Sequence, residues 1–252
     1  MCQDTRDAHP SVAPALSRRG MLRLSALSGA LALGAGLAGP AAAQVEPEEQ
    51  EPITTPDEAL RALACGNQRF VRGRSTTHGR QPCSSLGRPP TQRPYAAVLG
   101  CADSRVPVEL LFDEGFGRLF VCRAAGNITS AELIGSLEYG VAVLGAKVVM
   151  VLGHYDCGAL IAAMAGTRAP GQITALYARL YPAVARAGGN LNRAIDENVK
   201  EQVALLRGAS TVLKEAEGNG SIKVVGAAYD VCSGVVRMVE GQSLVCPRRP
   251  SA

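Results

Sequence analysis

Four apolar runs set the frame of this chain, at 95–100, 118–122, 146–152 and 222–228. Each is nearly continuous in Val, Leu, Ile or Ala, with no polar alternation. That pattern suits strands buried on both faces of a parallel sheet. Between the runs the apolar period changes to that of a helix. Leu133, Leu137, Val141 and Leu144 predict a helix over 130–144. A second helix begins near Cys157, and Ile195, Val199, Val203, Leu206 and Leu213 predict one over 192–217 with an Asn cap. Upstream, Thr55-Pro56-Asp57-Glu58 offers a cap, a proline at the first helical position and acids in the first turn, so a helix is expected through Phe70. Ser233-Gly234 reads as a turn into an antiparallel edge strand over 235–239. The alternation predicts an α/β domain: an open, mainly parallel sheet of four strands plus that edge strand, flanked by helices. The polar, Gly- and Pro-bearing stretch 72–94 reads as a long loop.

The first 43 residues do not follow this frame. Arg18-Arg19 precedes a modestly apolar run rich in Gly and Ala, which ends in Ala41-Ala42-Ala43, a small-residue cleavage site. This looks like a twin-arginine export signal, and a periplasmic location is expected. Gly34, Gly36 and Gly39 spell a dinucleotide-binding fingerprint but lack the strand–turn–helix context, so they carry no weight. The acidic stretch 44–56 reads as a flexible lead-in, leaving 57–252 as one domain.

The formal charge of the whole chain is +4, of which +2 lies in the leader, so the remainder is close to neutral. Neither a basic patch nor aromatic–basic interleaving argues for nucleic acid. No apolar run after the leader is long enough for a stable membrane span. Seven cysteines follow position 43, an odd and widely spaced set that fits a disulfide frame poorly. Cys122 and Cys232 lie in apolar runs and read as small buried residues. A Cys83–Cys246 or Cys65–Cys83 bridge stays open.

Two fragments carry chemistry: Cys101-Ala102-Asp103-Ser104-Arg105 and His154-Tyr155-Asp156-Cys157-Gly158. The first falls at the C-terminal end of the first predicted strand, the second at that of the third. Ligands of open parallel sheets bind outside those ends. Two thiolates and one imidazole suit zinc, and three donors leave a coordination position open for chemistry. Taken alone, a cysteine after a buried strand is more often core than ligand. Asp103 and Arg105 could be a surface ion pair, or Asp103 could complete a closed site as fourth ligand. A Cys101 nucleophile with His154 as base is a further reading, which leaves Cys157 unexplained.

With Arg123-Ala124-Ala125-Gly126-Asn127, Ser136-Leu137-Glu138-Tyr139, Asn198-Val199 and Gly226-Ala227-Ala228-Tyr229-Asp230, these fragments make the stretch 57–240 resemble the β class of carbonic anhydrases. The resemblance implies one zinc ion per chain on Cys101, His154 and Cys157, and an Asp103–Arg105 dyad. It implies a substrate pocket lined by Gln92, Phe120, Tyr139 and Gly158, some reaching across a dimer interface. It also implies a homodimer or dimer of dimers acting on CO2 and bicarbonate. Ala102 stands where the family commonly has Ser, and Ala124 where it has Asn. Val98 stands where members regulated by a second bicarbonate site have Trp, so that regulation is not expected.

The expected activity is reversible hydration of CO2 by a zinc-bound hydroxide, oriented by the dyad. Two thiolates cancel the zinc charge, so the hydroxide forms at higher pH than with three imidazoles, and activity should rise through the alkaline range. Two other readings stand beside it: a hydrolase of another small cumulated molecule such as carbon disulfide, and a non-catalytic zinc or thiol module.

Overall fold

The computed structural model describes residues 52–76, 91–241 and 243–247. The leader, most of the lead-in and Cys83 lie outside the described residues. In chain order the elements are α1 (Pro56–Val71), β1 (Ala96–Cys101), α2 (Val108–Leu111), β2 (Leu119–Ala124), α3 (Ala131–Ala142), β3 (Val148–His154), α4 (Gly158–Met164), α5 (Ile173–Ala187), α6 (Leu191–Ala209), α7 (Thr211–Gly218), β4 (Lys223–Tyr229) and β5 (Val236–Met238). The sheet order is β2-β1-β3-β4-β5, parallel except for β5, which pairs antiparallel with β4.

β1 and β3 are buried along their whole length, as their unbroken apolar runs require. Successive side chains point to opposite faces. Ala96, Val98, Met150 and Leu152 therefore pack with Leu63 of α1 and with Val108, Leu111 and Phe112. Ala97, Leu99, Val149 and Val151 pack on the other face with Leu137 of α3, Val199, Val203 and Leu206 of α6 and Leu213 of α7. α1 starts as expected: Thr55 Oγ1 accepts from the Glu58 amide at 3.2 Å, while Glu58 accepts from the Thr55 amide at 3.0 Å.

Two close approaches set helix heights. Gly66 brings α1 onto the Phe112 carbonyl, where a Cβ would sit 1.8 Å from the oxygen. Gly153 of β3 and Gly226 of β4 receive Val199, and a Cβ on either would lie 2.6 Å from a Val199 methyl. Buried Asn67 of α1 donates to the carbonyls of Leu111 (3.1 Å) and Gly234 (2.9 Å) and accepts from the Val236 amide (3.0 Å), which ties the edge strand β5 to the helix.

Some expectations are corrected. The helix expected over 192–217 is two helices: α6 is capped by Asn190, not Asn192, and the chain breaks at Ser210. Ser210 caps α7 and donates to Glu138, so its hydroxyl satisfies two elements at once. α2 and α5 were not expected; Pro182 inside α5 masks its helical pattern. Cys232 is exposed, because β4 ends at Tyr229 and the cysteine sits in the following turn. The disulfide joins Cys65 of α1 to Cys246, neither of the two pairings left open. Cys122 is buried, as expected. Among the described residues no helix is long and apolar enough to cross a membrane.

Candidate metal centre and active site

β1 and β3 are neighbours, and β2 lies on the far side of β1, so the chain reverses its direction of sheet building between them. Such a switch point opens a crevice at the strand C-termini. Cys101 is the last residue of β1 and His154 the last of β3, with Gly100 in register with Leu152. The turn after β3 then presents Cys157 at the start of α4. One donor atom from each of Cys101, His154 and Cys157 lies within 4.8 Å of the others, and all three residues are buried.

The donor set fits zinc on two counts. His154 Nδ1 lies 2.9 Å from the Tyr155 carbonyl oxygen, which can only accept, so Nδ1 carries the proton. Nε2 is therefore a lone-pair donor, and it is buried with no hydrogen-bond partner, an expensive arrangement unless a cation takes the lone pair. The sulfurs give the second count. Hydrogen bonding from Cys157 holds the Cys101 thiol down at about 4, while that same hydrogen bond, then burial and the charge on Cys101, push the Cys157 thiol up. The two buried sulfurs thus share one proton, and only a divalent cation between them would let both be thiolates here. Cys101, His154 and Cys157 would hold it, with Cys101 Sγ also accepting from the Gly126 amide at 3.3 Å.

Asp103 and Arg105 stand at the mouth. Arg105 donates from Nε to Asp103 Oδ1 (3.0 Å) and from Nη2 to Oδ2 (2.9 Å), a bidentate fork. Those hydrogen bonds hold the Asp103 carboxyl down at about 2, so it stays ionised. Asp103 Oδ2 lies 3.8 Å from His154 Nε2. With both oxygens on Arg105, Asp103 is not grouped with the metal donors. The free edge of the guanidinium reaches Asp156, with 2.9 Å to Oδ2 and 3.0 Å to the carbonyl oxygen. Asp156 accepts that contact in a left-handed conformation (φ 59°). Arg123 of β2 donates to the carbonyls of Cys101 (2.9 Å) and Asp103 (2.6 Å) and so holds the loop between ligand and dyad. No spacing rule points to Asp156 or Arg123, since each acts through a backbone carbonyl or across the sheet edge.

The expected pocket residues do not all lie here. Gly158 directly follows Cys157. Phe120 is in register with Ala97, four residues before the Cys101–Ala124 pair, which is about 13 Å along the strand. Its ring packs on Tyr139 with centroids 6.2 Å apart, and Tyr139 is half exposed. Exposed Gln92 precedes β1, with its backbone against Gly117.

The carbonic anhydrase family model matches residues 96–236. Carbonic anhydrase 2 of Mycobacterium tuberculosis is 38% identical over 191 residues, covering 73% of this chain and 92% of the relative. The carbonic anhydrase of Pseudomonas aeruginosa is 36% identical over 169 residues, covering 60% of this chain and 76% of its own length. Among solved structures, the β-carbonic anhydrase CafA of Aspergillus fumigatus superposes with a TM-score of 0.56 at 25% identity over 72% of this chain and 91% of that one. The Coccomyxa β-carbonic anhydrase in complex with acetazolamide gives 0.53 at 27% identity over 69% and 78%. With its Cys–His–Cys set at the switch point of a mainly parallel sheet, the chain belongs to the β-class carbonic anhydrase family.

Proposed function

We infer that this chain is a zinc lyase that interconverts CO2 and water with bicarbonate and a proton, and we propose that Asp103 and Arg105 are its catalytic dyad. The observation that carries the reading is the convergence of two sulfurs and an unpartnered imidazole nitrogen beside a carboxylate locked by an arginine fork.

Zinc, when bound, supplies Lewis acidity at the open position left by three protein ligands. The chain's own residues do the rest. His154 presents Nε2 because Tyr155 takes its other ring nitrogen. Asp103, ionised, accepts a hydrogen bond from the attacking water and aims its lone pair at the carbon of CO2. Arg105 keeps that carboxylate off the donor set, so the site stays open to substrate. The proton leaves to buffer once bicarbonate departs.

We also propose export to the periplasm and assembly as a homodimer or dimer of dimers. The twin-arginine leader and a disulfide, which persists best in an oxidising compartment, support export. The half-exposed Tyr139 of α3 and the exposed Val143 that caps its C-terminus, beside edge strand β2, support a partner there, which would bring Phe120, Tyr139 and Gln92 to a neighbour's pocket. Stopped-flow CO2 hydration by the zinc-loaded protein tests the activity. Proton release with Phe120 and Tyr139 substitutions lowering it supports the whole reading, whereas zinc-loaded protein with no hydration returns the non-catalytic module.

A further inference from the structure

We propose that Asn198 is a positioning residue for the Cys101 thiolate, acting through the Gly126 amide, with Gln202 fixing which way the Asn198 amide faces. This rests on the metal-site reading above and deepens it.

A single directed chain of hydrogen bonds runs from α6 to the sulfur. Thr129 donates to Gln202 Oε1 from its amide (2.8 Å) and its hydroxyl (3.0 Å). Gln202 Nε2 donates to Asn198 Oδ1 (3.2 Å), Asn198 Nδ2 donates to the Gly126 carbonyl (2.9 Å), and the Gly126 amide donates to Cys101 Sγ (3.3 Å). Its direction is set at both ends. A backbone amide at Thr129 can only donate and a backbone carbonyl at Gly126 can only accept, so neither side-chain amide can be flipped without facing like against like.

The fold spends polar groups here where apolar ones would pack. Asn198 and Gln202 are fully buried (0% exposed) and Thr129 nearly so. Their height is set by Val199, seated on Gly153 and Gly226. Gly126 is in the left-handed region (φ 72°), which turns its amide to the sulfur and its carbonyl to α6. A Cβ there would also press on Leu180 at 3.1 Å.

The consequence is electronic. Two thiolates cancel the charge of a divalent ion, which lowers its Lewis acidity. An N–H dipole fixed on one sulfur draws density back and restores part of it. Asn198 makes that dipole dependable by holding the far side of the same glycine.

Co2+ is the probe, since sulfur-to-cobalt charge transfer reports electron density on the thiolates. In the full-length Asn198→Leu variant, which keeps the branched heavy-atom skeleton and removes the polar groups, that band moves to longer wavelength at unchanged cobalt stoichiometry. The zinc-loaded variant loses roughly tenfold or more in kcat/KM. Gln202→Met shifts the band in the same direction. A band unchanged in both variants overturns the proposal and leaves the metal site standing; wild-type protein that takes up no Co2+ with a thiolate band overturns the metal-site reading itself. Should the variants not fold, the wild type decides. Loaded with 113Cd and labelled with 15N, its Gly126 amide proton shows scalar coupling to the metal through Sγ, and absence of coupling overturns the proposal.

Discussion

Arg105 grips both carboxylate oxygens of Asp103, at 3.0 Å from Nε and 2.9 Å from Nη2, while its Nη1 holds Asp156 at 2.9 Å. The dyad is thereby anchored to the turn that carries His154 and Cys157, and the two halves of the site are locked together by one guanidinium. Arg105→Ala should keep zinc, because no ligand is removed, and lose roughly a hundredfold in kcat/KM. Arg105→Lys should not rescue it, since an ammonium cannot make the fork. Zinc analysis alongside stopped-flow hydration checks both; near-normal turnover in Arg105→Ala contradicts the dyad.

The approach of α6 to the sheet makes a second prediction. Gly226→Ala puts a methyl 2.6 Å from the present Val199 methyl, and overpacking of this kind costs about 1–3 kcal/mol. Val199→Ala alone leaves a cavity, but combined with Gly226→Ala it should recover part of the loss. Denaturant unfolding of the two single variants and the double variant checks this; strictly additive losses would show that the two side chains do not meet.

The Cys65–Cys246 bridge closes 181 residues of sequence. Constraint of the unfolded chain by so long a loop has an upper value of about 5 kcal/mol, and native bridges commonly contribute about 2–4 kcal/mol. Reductant should therefore lower the Tm of the wild type. Cys246→Ser should start from the lowered Tm and not respond to reductant, while Cys232→Ser, at an exposed free cysteine, should match the wild type. A reductant-insensitive wild type contradicts the pairing.

Glu217 links α7 to β4: Arg207 donates to both its oxygens at 2.8 Å, and it accepts from the Val224 amide at 3.2 Å. The Arg207 hydrogen bonds hold its carboxyl below the ordinary 4.5. A carboxyl depressed on folding stabilises the fold above its unfolded value, and that contribution is lost as pH falls through the folded one. Glu217→Gln should therefore cost under about 1 kcal/mol at neutral pH, the pair being partly exposed, and the two proteins should converge in strong acid. Unfolding curves across the acid range check this; a gap that persists at low pH contradicts it.

Much of this was legible in the chain. The unbroken runs at 95–100 and 146–152 marked doubly buried strands, and they placed Cys101 and His154 on one sheet edge before any coordinates. What escaped was set by tertiary context. Ser210 breaks a helical pattern that continues in the sequence, because its hydroxyl serves Glu138 as well as the next cap. Cys232 sits in a residue run that looks like a strand, but Asp230 accepts from the Cys232 amide at 2.9 Å and turns the chain. The pairing of Cys65 with Cys246 depends on where the C-terminal segment crosses α1. The buried chain from Gln202 to Cys101 joins residues 72 and 25 apart in sequence, which no local spacing reveals.

The central claim is that Cys101, His154 and Cys157 together hold one catalytic zinc. Elemental analysis of purified full-length protein, paired with Cys157→Ser, tests it most directly. The account predicts one zinc per wild-type chain and loss of both metal and CO2 hydration in the variant; a wild type free of zinc yet fully active, or a variant that retains stoichiometric zinc and normal turnover, would contradict it.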